Sequence, residues 1–376
     1  MGINAFFTYT VVFTYGLSWE AALAAVLISG VLFLVLSVSG LRKMIINAIP
    51  QPLKYAVGAG IGFFITFIGL KNAGLVVGDG ATLVTLGDLS HPAVLLAIFG
   101  LLIVVLLSFR GNRFSLIIAI GVTAIVGLIL NRFGVSNMPS LVSQQEGLIS
   151  GAGETFFAFT RGFGELFSTP QALLVIFTFL FVDFFDTAGT LIAVGNRAGL
   201  INDEGELIDG NKALLADSIG TVAGAAFGTS TVTSYIESST GIEQGGRTGL
   251  TAVTVGILFL LSLAIYPLIG IFTAIVDPVT GAEYYPVTSM ALIMVGSLMV
   301  SQLKHIDFDD KPVLIASFLT IVFMIFSFSI AEGIAVGFIF YPLAMIASKR
   351  IKEVNPIMYG LMVFFIVYFV ITTVFA

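Results

Sequence analysis

Eleven long, mostly apolar runs follow one another along this chain, near residues 20–40, 52–77, 92–109, 114–131, 171–198, 211–227, 247–275, 286–303, 312–330, 333–348 and 356–376. A helix crossing a bilayer needs about 20 such residues, and in hydrocarbon its backbone groups must be paired within the segment. Runs of this number and length point to an all-α polytopic membrane protein. Composition agrees: 10% of the 376 residues are charged, against about 25% in soluble domains. The net charge of −6 does not bear on nucleic acid, but with no basic face nucleic acid is not an expected partner. The absence of Cys excludes disulfides, thiolate metal sites and Cys nucleophiles, and two His (His91 and His305) argue against a histidine metal site.

The start of the chain has no basic n-region and no cleavage site, so it does not read as a signal peptide. Lys and Arg alternate from loop to loop: Arg42, Lys43 and Lys54, then Arg110 and Arg113, and finally Lys349, Arg350 and Lys352, all fall on one side. That side is expected to be cytoplasmic in a multi-pass protein of the cell membrane. The connection at 276–285 has no base, and the Gly/Ser-rich stretch 132–170 is read as an outer loop. Whether residue 376 lies inside or outside depends on whether 333–348 crosses, which the runs leave open.

Two segments interrupt this apolar pattern with chemistry. In Phe181-Val-Asp-Phe-Phe-Asp-Thr-Ala-Gly-Thr190, Asp183 and Asp186 lie three residues apart on one helical face. An ionised Asp at mid-membrane costs roughly 2.5–3.5 kcal/mol, and no Lys or Arg lies nearby in sequence. Their charges repel, so one of the pair is expected to hold a proton at neutral pH. Thr187 and Thr190 add hydroxyls. In Gly228-Thr-Ser-Thr-Val-Thr-Ser-Tyr-Ile-Glu-Ser-Ser-Thr-Gly241, β-branched residues alternate, which favours extended backbone. A lone strand in lipid needs a partner, so this piece is expected to pair with Gly2 to Thr10, the other broken segment. A half-helix opening at Glu237 would then present free N–H groups and a carboxylate at the centre. Asn4, Ser230 and Thr231 are expected near the same cavity. Against these readings stand structural ones: of Asp183 and Asp186, one capping a helix break at Gly189 and the other hydrogen-bonded within the fold, and Glu237 solvated in a Ser/Thr-rich outer loop. Asp217, near the start of the 211–227 helix, reads as a structural partner of the helix dipole, and Glu332 as the mark of a helix break or gate.

Gly2-Ile-Asn-Ala-Phe-Phe-Thr-Tyr9, Phe184-Phe-Asp-Thr-Ala-Gly-Thr190 and Thr229-Ser-Thr-Val-Thr-Ser-Tyr-Ile-Glu-Ser238 resemble the signatures of the azaguanine-type purine permeases, within the nucleobase–ascorbate (xanthine/uracil permease) superfamily. So does the stretch from Ala48 through Gly62 to Gly74. The resemblance implies fourteen membrane segments in two inverted seven-segment repeats, with two short central strands in broken helices. It implies core and gate domains: core parts at 1–45 and 171–275, gate parts at 46–135 and 276–376, and an extracellular loop at 136–170. Met1 falls inside the third-segment motif, so the family's first two segments would be lacking. The implied activity is proton-coupled uptake of hypoxanthine, guanine or adenine by an elevator-type mechanism, with no cofactor beyond the coupling proton. Asp186, Glu237 and Asp183 would bind base and proton, with Asn4, Thr187, Ser230 and Thr231 lining the site. The family architecture leaves room for a homodimer through the gate domain. The alternatives are an anion or other small-solute transporter of the same fold and, remotely, an intramembrane aspartyl protease. For the protease, Val77-Gly-Asp-Gly80 lacks the first Gly of the required motif.

Overall fold

The computed structural model describes residues 2–38, 48–112, 114–141, 152–169, 172–202, 207–235, 238–262 and 270–375. The chain is mostly helical. Helix α1 (Gly2–Ala5) runs on as π-helical turns over Phe6–Thr14. Then come α2 (Trp19–Val38), α3 (Gln51–Asn72), the hairpin β1 (Val76–Asp79) and β2 (Leu83–Leu86), α4 (Pro92–Phe109) and α5 (Ser115–Arg132). After them follow α6 (Phe159–Ser168), α7 (Ala172–Ala198), α8 (Gly210–Phe227), α9 (Ser238–Glu243) and α10 (Gly249–Ser262). The last stretch holds β3 (Ile275–Val276), β4 (Glu283–Tyr284), α11 (Ser289–Met299), α12 (Lys311–Phe326), α13 (Ile330–Ala347) and α14 (Pro356–Phe375). Every apolar run read from the sequence contains one of these helices. Among the described residues α2, α3, α4 and α5 are each long and apolar enough to cross a membrane.

Packing divides the chain into two compact units, one of residues 1–61, 149–238 and 301–376, the other of 62–148 and 239–300. In the first, α2 is the centre. Ala21, Ala22, Ala24 and Ala25 are fully buried, and these small side chains let neighbours come close. Gly162 of α6 lies directly on the backbone at Glu20, and a Cβ on Gly30 would stand 2.9 Å from Thr221 of α8. Glu165 of α6 accepts the Ser18 N–H at 2.9 Å as well as the Ser18 hydroxyl, so a residue far along the chain caps the start of α2. Helices α12 and α13 form an antiparallel hairpin. Their distant ends meet where Arg350 Nη1 lies 2.7 Å from Asp310 Oδ2, and Gly333 and Gly337 seat α13 on Thr320.

In the second unit, Gly62 and Gly69 of α3 lie against α11 at Gly296 and Ile293. Gly100 of α4 meets Thr123 Oγ1 at 2.7 Å and Met290 Sδ at 2.8 Å, measured from a Cβ placed on it. One end is tied by His91, whose Nε2 lies 3.0 Å from Asp277 Oδ2 and whose ring stacks on Tyr284 at 4.5 Å. Asn137 Nδ2 donates to the same Asp277 oxygen at 3.2 Å. The N–H groups of Thr280 and Val279, with His91 adding less, hold the Asp277 carboxyl down to about 2. The short strands occur in this unit. Asp79 closes the β1–β2 turn by accepting from Ala81 and Thr82 N–H groups at 2.8 Å each, in exposed surroundings unlike those of a buried catalytic aspartate.

The central strands expected in the broken segments are not formed. Residues 6–14 are helical, and 231–235 have no ladder. Helical turns satisfy the backbone of 2–14 internally, with no need of a partner, and Phe6 and Phe7 are drawn onto Phe179 of α7 at 5.1 and 6.2 Å. Ring packing and local bonding outweigh the extended preference.

Candidate functional site

The polar groups of the first unit converge where α7, α8 and the segment after α8 meet. On α7, Asp183, Thr187 and Thr190 repeat at i, i+4 and i+7 and are all buried. On α8, Asp217, Thr221 and Gly224 repeat the same spacing and are also buried. The α8 helix ends at Gly228, whose φ of +84° is the left-handed conformation that favours glycine. Gly228 N–H bonds Ala225 O at 3.2 Å and Thr229 N–H bonds Gly224 O at 2.9 Å, a Schellman-type close. The chain then folds back along α8. Gly220 and Gly224 open the groove for it: a Cβ on Gly220 would stand 3.5 Å from Val232, and one on Gly224 would strike it.

Side chains supply the backbone partners that a strand would have supplied. Thr221 Oγ1 donates to Val232 O at 2.7 Å and lies 3.2 Å from Asp183 Oδ2. A hydroxyl has one proton to give, so the two oxygens compete for it, and a proton on Asp183 would end the competition. Asp217 accepts from Thr187 at 2.7 Å and from Ser234 at 2.9 Å, and Thr187 also bonds Thr233 at 2.8 Å. One carboxylate thereby fastens α7 and the folded-back segment to α8. Ser230 Oγ and Thr231 Oγ1 are buried and have no hydrogen-bond partner among the described residues. Burying a hydroxyl without a partner costs about 1–3 kcal/mol, so these two are groups that a polar ligand would satisfy.

The residues expected from the sequence fall out as follows. Asp183, Thr187, Ser230 and Thr231 come together in this region. Asn4 is exposed on α1. The backbone of Asp186 is helical, one turn from Asp183, and its side chain lies outside what is described, as does the whole of Glu237. Asp217 differs from its reading. It is the eighth residue of α8, beyond the first turn where a helix dipole acts, and its bonds go to Thr187 and Ser234. Thr221, Thr233 and Ser234 join the network without having been singled out; the i+4 spacing of Asp217 and Thr221 was the signal available. Glu332 does mark a helix start, with Ser329 accepting its N–H at 3.3 Å. Among the described residues no three His, Asp or Glu side chains gather as a metal site.

Comparisons with known proteins agree with one another. The profile of the Permease family matches residues 2–331. The chain is 47% identical over 370 residues to the guanine/hypoxanthine permease PbuG of Bacillus subtilis (strain 168), covering 98% of this chain and 80% of that one. It is 41% identical over 355 residues to the adenine permease AdeQ of Escherichia coli (strain K12), covering 94% and 75%. Among solved structures it resembles the transmembrane domain of the cyanobacterial bicarbonate transporter BicA, with a TM-score of 0.51 at 15% identity over 89% of this chain and 80% of that one. That likeness concerns the fold.

Proposed function

The chain belongs to the Permease family, and from that premise we propose that it takes up purine nucleobases by proton-coupled, elevator-type transport. It is a multi-pass transporter of a cell membrane and not an enzyme. Its relatives are named as guanine/hypoxanthine and adenine permeases, and a purine fits the chemistry at hand. The base is planar and carries N–H donors and ring acceptors at its edges. Carboxyl groups bind the donors, while hydroxyls and backbone N–H groups bind the acceptors.

The observation that carries the reading is the buried carboxylate–hydroxyl network of Asp183, Thr187, Asp217 and Thr221, with Ser230 and Thr231 left to bind something else. In this reading Asp186 and Glu237 hold the base, Asp183 is the adjoining proton carrier, and Asn4 closes one side. The residues 1–45 and 171–275 form the moving core, 46–135 and 276–376 the gate, and gate domains pair in a homodimer. An anion carrier of the same fold would be expected to place a base by its ligand, but neither 171–196 nor 213–246 contains Lys or Arg.

Uptake of labelled hypoxanthine, guanine, adenine, xanthine and uracil in a permease-deficient host tests this. We expect saturable purine uptake that acidic medium enhances. Asp186→Asn and Glu237→Gln should each lower it by roughly 100-fold, on the order of 3 kcal/mol, the scale of a lost charged hydrogen bond. Unchanged uptake in both variants would refute the site.

A further inference from the structure

Helix α6 lies in a stretch that reads as an outer loop, yet the rings it carries are not those of a loop in water. Its sequence, Phe159-Thr-Arg-Gly-Phe-Gly-Glu-Leu-Phe-Ser168, separates into sides. Phe159, Gly162 and Leu166 are buried, and Gly162 sets that side on the backbone at Glu20. Arg161, Gly164 and Ser168 are exposed on the opposite side, and Phe163 and Phe167 fall between the two. Phe163 and Phe167 stack at 6.3 Å, and Phe159 lies 5.9 Å from Phe163. The row continues backward along the chain. Phe157 stands 5.6 Å from Phe159, Phe156 4.5 Å from Phe157, and Phe227 at the end of α8 5.4 Å from Phe156. Six rings form one ridge from the end of α8 to the end of α6. Phe156 and Phe157 are 49% and 47% exposed, and Phe167 and Phe227 are 69% and 67% exposed.

The fold holds this ridge in place. Phe157 N–H donates to Ala226 O at 2.8 Å, serving a carbonyl in the last turn of α8. Phe157 takes a φ of +54° there, a conformation costly to any residue but glycine. The depth of the ridge follows from α2. Its 20 residues are about 30 Å long, the thickness of a bilayer's hydrocarbon. Trp19, the first of them, stands at one edge of that layer, and α6, resting on Glu20, lies at the same edge. The Arg161 guanidinium lies 5.8 Å from the Trp19 ring, and its Nη2 donates to Glu154 O at 2.8 Å. Charge and indole side by side are what a membrane–water boundary collects. On α8 the exposed residues Ala216, Ile219, Ala223 and Phe227 recur at i, i+3, i+7 and i+11, so an apolar stripe of that helix runs on into the ridge.

We propose that the ridge is a lipid-binding surface seated in the headgroup–acyl boundary, with α6 as an interfacial helix. Its partner is phospholipid, taken by insertion of rings and not by charge, since Glu20, Glu154 and Glu165 outnumber Arg161 at this end. The anchor reaches the candidate site through the chain. Thr155, just before the ridge, packs on Gly228, the turn from which the folded-back segment starts. Lipid held by the ridge therefore sets the depth of that turn. The inference needs only that the chain spans a membrane and is independent of the solute carried.

Trp19 is the only Trp of the chain, so Trp19→Phe removes the native indole signal. In that background Phe156→Trp and Phe167→Trp report from the ridge, and Ser168→Trp reports from the polar side of α6. Each full-length variant is placed in phosphatidylcholine nanodiscs. Bromine near the carbonyl end or near the methyl end of the acyl chains quenches from the lipid, and iodide quenches from water. Both ridge indoles are expected to lose about half their emission or more to carbonyl-end bromine, less to methyl-end bromine and little to iodide. Ser168→Trp is expected to be quenched by iodide. Ridge indoles quenched by iodide and not by bromine overturn the proposal, because the ridge then stands in water. Quenching by neither also overturns it, because protein then covers the ridge, whether a second copy or another segment. Stronger quenching by methyl-end bromine overturns the seat at the boundary. Either ridge position is decisive alone, so one variant that fails to fold leaves the test standing.

Discussion

Thr221 shows how much one hydroxyl can settle. It fixes the folded-back segment by bonding Val232 O and touches the buried Asp183. Thr221→Val conserves shape and leaves the Val232 carbonyl without its donor, which should cost about 1–3 kcal/mol of stability. Thermal unfolding in detergent measures it, and an unshifted midpoint would mean that water or another donor already serves that carbonyl. Asp183 and Thr187 were legible in the sequence because a charge or hydroxyl inside an apolar run stands out. Asp217 was legible as a polar residue but not as the anchor it is. Its partners, Thr187 and Ser234, are 30 and 17 residues away, and nothing local announces such a meeting.

At the level of elements, glycine decides which helices may touch. The hairpin is the clearest case: a Cβ on Gly337 would press on the Thr320 side chain and stand 3.1 Å from Leu53 Cδ1. Gly337→Leu should destabilise the protein by about 1–3 kcal/mol through overpacking. Unfolding midpoints and expression level report it, and a fully stable variant would show that α13 has room to shift. The long helices followed from apolar runs, since length and hydropathy suffice for them; α6, within the stretch read as an outer loop, did not. The broken segments did not. A period of two favours extended backbone at 229–234, and the segment does leave the helix there, but the ladder predicted for it needs an edge that residues 6–14, being helical, do not offer. The sequence pattern carried the local preference and not the partner.

For the whole molecule, the alternation of basic loops sets the orientation. The chain has no Cys, so single cysteines can be placed without background. Thr280→Cys is expected to react with a membrane-impermeant maleimide on intact cells, and Lys352→Cys only after permeabilisation. The reverse pattern would invert the orientation. That the chain is a mostly helical polytopic transporter could be read from hydropathy and the motifs at 184–190 and 229–238. The division into two packed units could not, because it is made by contacts between runs far apart in sequence.

The meeting of Asp310 and Arg350 also has a bearing on parity. A pair of helices whose outer ends touch returns the chain to the side it came from, so the pair adds an even number to the count of crossings whatever its depth. Lys349 therefore shares a side with Lys311 even if the hairpin stops short of the far surface. Every later change of side belongs to α14 alone. The ambiguity left by counting hydrophobic runs is removed by one ion pair: once α14 crosses, Phe375 and Lys349 lie on opposite sides.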